Sequence, residues 1–75
     1  MTKEEAERLR REYPRFVPLK VAASYLGMSA RRLSELVAEG RKPYCLLGGN
    51  IGKGRRMVFI YTERLIAYLS GYPLE

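Results

Sequence analysis

The sequence predicts a small α+β domain, in which helices in the first half of the chain are followed by two strands and a last helix. Apolar residues recur at helical spacing through residues 1–40, and the period then changes to a β-branched and aromatic run at residues 57–61. The chain has 75 residues and 47% hydrophobic content, which allows one thin core and is too high for a disordered chain.

The first predicted helix begins after Thr2. Thr2 and Glu5 have the spacing of a capping box, which satisfies free N–H groups at a helix start. The helix is expected to end before Pro14, because a residue that precedes proline avoids the helical region. We assign residues 1–16 to an N-terminal helical extension and residues 17–70 to the core of a single domain spanning residues 1–75.

Two short helices joined by a tight turn are predicted next. The first covers residues 19–26, and Gly27 is the residue type that most often ends a helix in the left-handed conformation. Ser29 is expected to cap the second, from residue 30 to about residue 39. Its apolar residues repeat at inward-facing spacing, which leaves four residues facing outward: Arg31, Arg32, Ser34 and Glu35.

The second half of the chain predicts a β-hairpin and a final helix. Residues 44–47 and residues 57–61 are the expected strands. Between them, residues 48–56 contain four glycines and an asparagine, a composition typical of a hairpin loop. Thr62 is expected to cap a helix from residue 63 to about residue 70.

Positive charge is concentrated in this hairpin. The net charge is +6, and residues 41–56 hold five basic residues and no acidic one. Such a concentration attracts polyanions, of which nucleic acid is the commonest. The alternative is a charged loop that only aids solubility.

The two helices and their turn have the pattern of a helix-turn-helix, whose second helix enters the DNA major groove. Arginine donates twice to a guanine edge, and a glutamate accepts from cytosine or orients a neighbouring arginine. The expected contacts on this helix are Ser29, Ala30, Arg31, Arg32, Ser34 and Glu35.

A hairpin that follows a helix-turn-helix is a wing, so the sequence predicts a winged helix-turn-helix. Its glycines allow close approach to the phosphates or the minor groove, and its basic residues neutralise backbone charge. The expected contacts in and beside the wing are Arg41, Lys42, Lys53, Arg55 and Arg56.

Several classes of function are disfavoured by composition. The chain has no histidine and one cysteine, which argues against zinc fingers, an internal disulfide and histidine-based catalysis. Glycine follows Lys53, where a nucleotide-binding phosphate loop needs a hydroxyl residue. We expect no enzyme activity, cofactor, metal or small-molecule substrate. The charged N-terminus and short apolar runs predict a cytoplasmic protein without a membrane segment.

Three segments resemble the excisionase family: AASYLGMS at residues 22–29, RLSELVAEG at residues 32–40 and TERL at residues 62–65. The family comprises small winged-helix proteins related to the DNA-binding domains of MerR-type regulators. PLKV at residues 18–21 departs from it, since the family often has a Thr or Ser cap and acidic residues there.

The resemblance implies an architectural factor that binds double-stranded DNA in several copies at one end of a mobile element. Such a factor bends the DNA and helps a partner recombinase, an integrase, to excise the element. Arg31, Arg32 and Glu35 would then face the major groove, and Lys53 and Arg55 would lie in the wing.

Three other functions fit the same residues. A small transcriptional regulator of a phage or mobile element and a DNA-packaging recognition subunit would also read DNA through this unit. An adaptor would instead use the basic hairpin and the final helix to dock an acidic protein.

Overall fold

Helices and a three-stranded antiparallel sheet share one core in the computed structural model, which describes residues 1–51 and 57–71. The described residues form four α-helices, one 3₁₀ helix and three strands. In chain order they are α1 (Lys3–Glu12), β1 (Phe16–Val17), α2 (Leu19–Leu26), α3 (Ala30–Ala38), the 3₁₀ helix (Tyr44–Leu46), β2 (Gly48–Ile51), β3 (Met57–Tyr61) and α4 (Thr62–Leu69).

The sheet has the order β1-β3-β2, and both pairs of neighbours are antiparallel. The expected two-stranded hairpin is therefore a three-stranded sheet, because Val17 of β1 pairs with Ile60 of β3. On the other side of β3, Gly48 pairs with the same Ile60. A strand of two residues shows no alternation in the sequence, so β1 was not predicted.

Residues 44–47 were expected to be a strand, but Tyr44–Leu46 form the 3₁₀ helix and Leu47 is the residue that ends it. The N–H of Leu47 donates to the carbonyl of Tyr44 at 3.0 Å, and β2 begins only at Gly48. A Cβ atom at Gly48 would collide with the carbonyl oxygen of Phe59, so this close strand pairing requires glycine. Glycine-rich segments are typical of loops. The sequence therefore predicts the first hairpin strand at residues 44–47, although β2 lies at Gly48–Ile51.

The predicted boundaries of α2 and the start of α3 are confirmed. Gly27 ends α2 with φ of 73°, in the left-handed region that favours glycine. The hydroxyl of Ser29 accepts a hydrogen bond from the N–H of Arg32 at 3.1 Å. At the chain start, Thr2 accepts from the N–H of Glu5 at 3.2 Å. Local capping chemistry thus sets these helix ends.

The core lies where α2, α3 and α4 meet β3. Its largest fully buried side chains include Leu33, Leu47, Ile60 and Leu65. Ala22 of α2 is fully buried, and its small side chain lets α2 lie close to α3. No helix in the described ranges is long and apolar enough to cross a membrane.

Helix α1 is part of the same core, since Ala6 and Leu9 are buried within it. Its outer side is tied to α4 by an ion pair between Arg10 and Glu63, with Nε and Oε2 2.8 Å apart. The hydrogen bond to the Glu63 carboxylate raises the pKa of Arg10. Residues 1–16, which the sequence suggested as an extension, pack directly on the rest of the chain.

Candidate functional site

Helix α3 has one buried face and one exposed, basic face. Leu33, Leu36 and Val37 are buried, as their spacing predicts. Arg31 and Arg32 lie in the first turn on the solvent side, with side chains 91% and 58% exposed. The short connection after α2 sets the residue at which α3 begins. Because Leu33, Leu36 and Val37 face the core, both guanidinium groups extend away from it.

Glu35 lies one turn further along α3 and forms ion pairs with both arginines. Its Oε1 is 3.4 Å from Nε of Arg31, and its Oε2 is 3.7 Å from a terminal nitrogen of Arg32. The i,i+4 and i,i+3 spacings place the three side chains side by side on one helix. The carboxylate lowers the net charge of the trio to +1 and lies within ion-pair distance of both guanidinium groups.

The remaining expected contacts on α3 are less exposed or already bonded. Ala30 and Ser34 are half-buried. Ser29 is exposed, but its oxygen accepts the capping hydrogen bond from the N–H of Arg32. Its hydroxyl proton stays available to an external acceptor.

Beyond α3, the expected contacts Arg41 and Lys42 are both exposed. Nε of Arg41 lies 3.6 Å from Oε2 of Glu39, and the Arg41 side chain is 71% exposed. The three other expected contacts, Lys53, Arg55 and Arg56, lie outside the described residues.

A cluster of aromatic rings on the sheet was not predicted from the sequence. We call it the aromatic surface, and it consists of Phe16, Phe59 and Tyr61. The three ring centroids lie 5.3 to 5.4 Å apart. The alternation in β3 was a usable signal, because Phe59 and Tyr61 flank the buried Ile60 and so share the opposite face.

Within residues 1–51 and 57–71, no group of three or more His, Cys, Asp or Glu side chains is placed so that it could hold a metal ion. No protein-family model, curated protein or solved structure matched the chain. The structure itself defines a small α+β domain with an exposed pair of arginines at the start of one helix.

Proposed function

We propose that this chain is a winged helix-turn-helix protein that binds double-stranded DNA sequence-specifically through α3. The carrying observation is the placement of Arg31 and Arg32, exposed in the first turn of a helix whose other face is buried. An α-helix with its side chains is about 10–12 Å across, and the major groove is about 12 Å wide. The first turn of α3, with its two arginines, therefore fits into that groove and reaches base edges.

Glu35 supports the same proposal, because a base-reading arginine needs a fixed direction. Its ion pairs with Arg31 and Arg32 restrain two long side chains before DNA arrives. Pre-ordering reduces the entropy that binding would otherwise cost. In this scheme the arginines donate to guanine, and Glu35 orients them or accepts from a cytosine amino group.

The order of elements supports the winged part of the proposal. Strands β2 and β3 follow α3 and pair antiparallel, and the chain between them contains Lys53, Arg55 and Arg56. We assign phosphate or minor-groove contacts to these three residues. Arg41 and Lys42, exposed just after α3, are assigned to phosphates beside the major groove.

The biological role we propose is that of an excisionase-like architectural factor, on the strength of the resemblance of residues 22–29, 32–40 and 62–65. The protein would bind in several copies at one end of a mobile element and direct a partner recombinase towards excision. It would catalyse no reaction itself. The same reading helix would also serve a transcriptional regulator, and the two roles differ in where the sites lie.

Duplex titration at several salt concentrations tests DNA binding. If about five phosphates are neutralised, the logarithm of the association constant should fall with the logarithm of salt concentration at a slope near −4 to −5. Replacing Lys53 with glutamine should weaken binding to all duplexes alike and make the slope less steep by about 1. A chain that binds no duplex at low salt would contradict the proposal and favour the adaptor function.

Selection of bound fragments from host genomic DNA distinguishes the roles. Sites clustered at the attachment end of an integrated element would support excision. Sites overlapping a promoter would support transcriptional regulation instead.

A further inference from the structure

We propose that the aromatic surface docks a segment of a partner protein that presents an apolar side chain between carboxylates. This inference concerns a different face of the molecule from the proposed DNA contacts. It does not depend on DNA binding, and its test uses no duplex.

The aromatic surface lies on the outer face of the sheet. Val17 and Ile60 are paired across β1 and β3, and both are buried in the core. Side chains alternate along a strand, so Phe16, Phe59 and Tyr61 lie on the opposite face. Helices α2 and α3 pack against the sheet from the core side. A partner on the outer face would therefore leave α3 accessible.

The outer face is apolar and partly exposed to solvent, since Phe59 and Tyr61 are half-buried and Phe16 is exposed. Phe16 is 44% exposed, and the other large hydrophobic residue that is exposed in the described ranges, Tyr25, lies on α2. The Phe59 ring also lies over Gly49, since a Cβ there would be 3.0 Å from the ring. Contiguous exposed apolar surface with a polar rim is typical of an interaction site.

Two arginines form the rim. The guanidinium carbon of Arg15 lies 5.8 Å from the centre of the Phe16 ring, and that of Arg64 lies 5.1 Å from the centre of the Tyr61 ring. Within residues 1–51 and 57–71, neither arginine forms an ion pair. Arg64 uses one donor on the carbonyl of Leu46, at 2.9 Å, and a guanidinium has five N–H donors. Both therefore have charge and donors for a partner's carboxylates.

Ring geometry favours a peptide over stacked nucleic-acid bases. The Phe16–Phe59 and Phe59–Tyr61 pairs are edge-to-face, at 76° and 89°, so ring faces are already used by neighbouring edges. Arg15 and Arg64 cover further parts of Phe16 and Tyr61. Base stacking needs free, flat ring faces. A branched or aromatic side chain packs between ring edges, and acidic neighbours pair with the arginines.

The test measures binding of a short fluorescent peptide, a Leu-Phe pair flanked on both sides by glutamates, to the whole protein. We expect micromolar binding that is lost when the glutamates become glutamines or the Leu-Phe pair becomes Gly-Ser. Phe16→Ala should weaken binding by about tenfold or more, as for a central apolar contact. The matched control Tyr25→Ala, which truncates the exposed aromatic residue on α2, should leave binding unchanged.

Charge variants keep the test valid if Phe16→Ala unfolds the protein. Arg15→Gln and Arg64→Gln should each weaken peptide binding by about threefold or more, and added salt should diminish the difference. Arg8→Gln on α1 and Arg31→Gln on α3 make the same charge change elsewhere and should have no comparable effect. Equal losses in all four variants, no peptide binding at low salt, or a preference for a single-stranded oligonucleotide would each overturn the proposal.

Discussion

The hydroxyl of Thr62 donates a hydrogen bond to the backbone carbonyl of Tyr13 across 2.6 Å. The N–H of Thr62 donates to the carbonyl of Arg15 at 3.0 Å, and the residue is fully buried. The expectation that Thr62 caps the last helix was wrong: Tyr61 occupies the capping position, and Thr62 is the first residue of α4. Thr62 therefore ties the start of α4 to the segment between α1 and β1.

Replacing Thr62 with valine is expected to lower the free energy of unfolding by about 1–3 kcal/mol. Valine has nearly the same shape but leaves the carbonyl of Tyr13 without its hydrogen-bond donor in a part-buried position. Thr62→Ser keeps the hydroxyl and loses only a methyl group, so it should cost less. Urea unfolding of the three proteins gives both values, and a valine variant as stable as the parent would refute a structural role for the bond.

The sequence predicted those elements whose ends are set by neighbouring residues and missed those that depend on pairing with a distant strand. Helices α2 and α3 were placed well because Gly27 and Ser29 set their ends through bonds to nearby residues. Strand β1 and the start of β2 were missed because both depend on pairing with β3, which lies far along the chain. The strand needs glycine at position 48 because the carbonyl of Phe59 lies so close, and that closeness is not visible in the sequence.

The same distinction applies to the sites. The exposed arginines of α3 and their neighbour Glu35 followed from helical periodicity, because all three lie on one helix. The aromatic surface was missed because Phe16 joins Tyr61 only through the β1–β3 pairing. Composition located the concentration of basic residues at residues 41–56, because a count of charges needs no knowledge of the fold.

The Ser29 cap is expected to stabilise the start of α3. Ser29→Ala removes the hydroxyl that accepts from the N–H of Arg32 and should cost about 0.5–2 kcal/mol of stability. Ser24→Ala is the matched control, because Ser24 is exposed on α2 and alanine is a better helix former. Thermal unfolding followed by circular dichroism should show a lower melting temperature for the first variant alone; equal shifts would argue against capping.

Neighbouring glycines in β2 should respond differently to alanine. At Gly48 the new Cβ atom would meet the backbone carbonyl of Phe59, so the strands must separate, at a cost of about 3 kcal/mol or more. At Gly49 the obstacle is the tip of the Phe59 ring, 3.0 Å away, which can rotate aside. In denaturant unfolding, the Gly49→Ala variant should have a clearly higher free energy of unfolding than the Gly48→Ala variant. The reverse order would contradict the pairing of β2 with β3.

If α3 reads bases, Arg31→Ala and Arg32→Ala should each cost about 1–3 kcal/mol on the preferred duplex. The loss should be much smaller on unrelated duplexes. There the arginine contributes only one positive charge, whereas on the preferred duplex its replacement also removes a contact with a base. Competition binding against a scrambled duplex measures this ratio for each variant. Both variants keeping the parent's site preference would show that α3 is not the reading helix.

Replacing Glu35 distinguishes general electrostatic attraction to DNA from recognition of a particular base sequence. Glu35→Gln and Glu39→Gln each remove one negative charge, so both should tighten binding to any duplex, most strongly at low salt. Glu35, however, pairs with both Arg31 and Arg32, whereas Glu39 pairs with Arg41. Only Glu35→Gln should therefore lower the ratio of specific to unrelated binding, because it releases the arginines from their fixed directions. Identical ratios for the two variants would mean that Glu35 contributes charge alone and positions neither arginine.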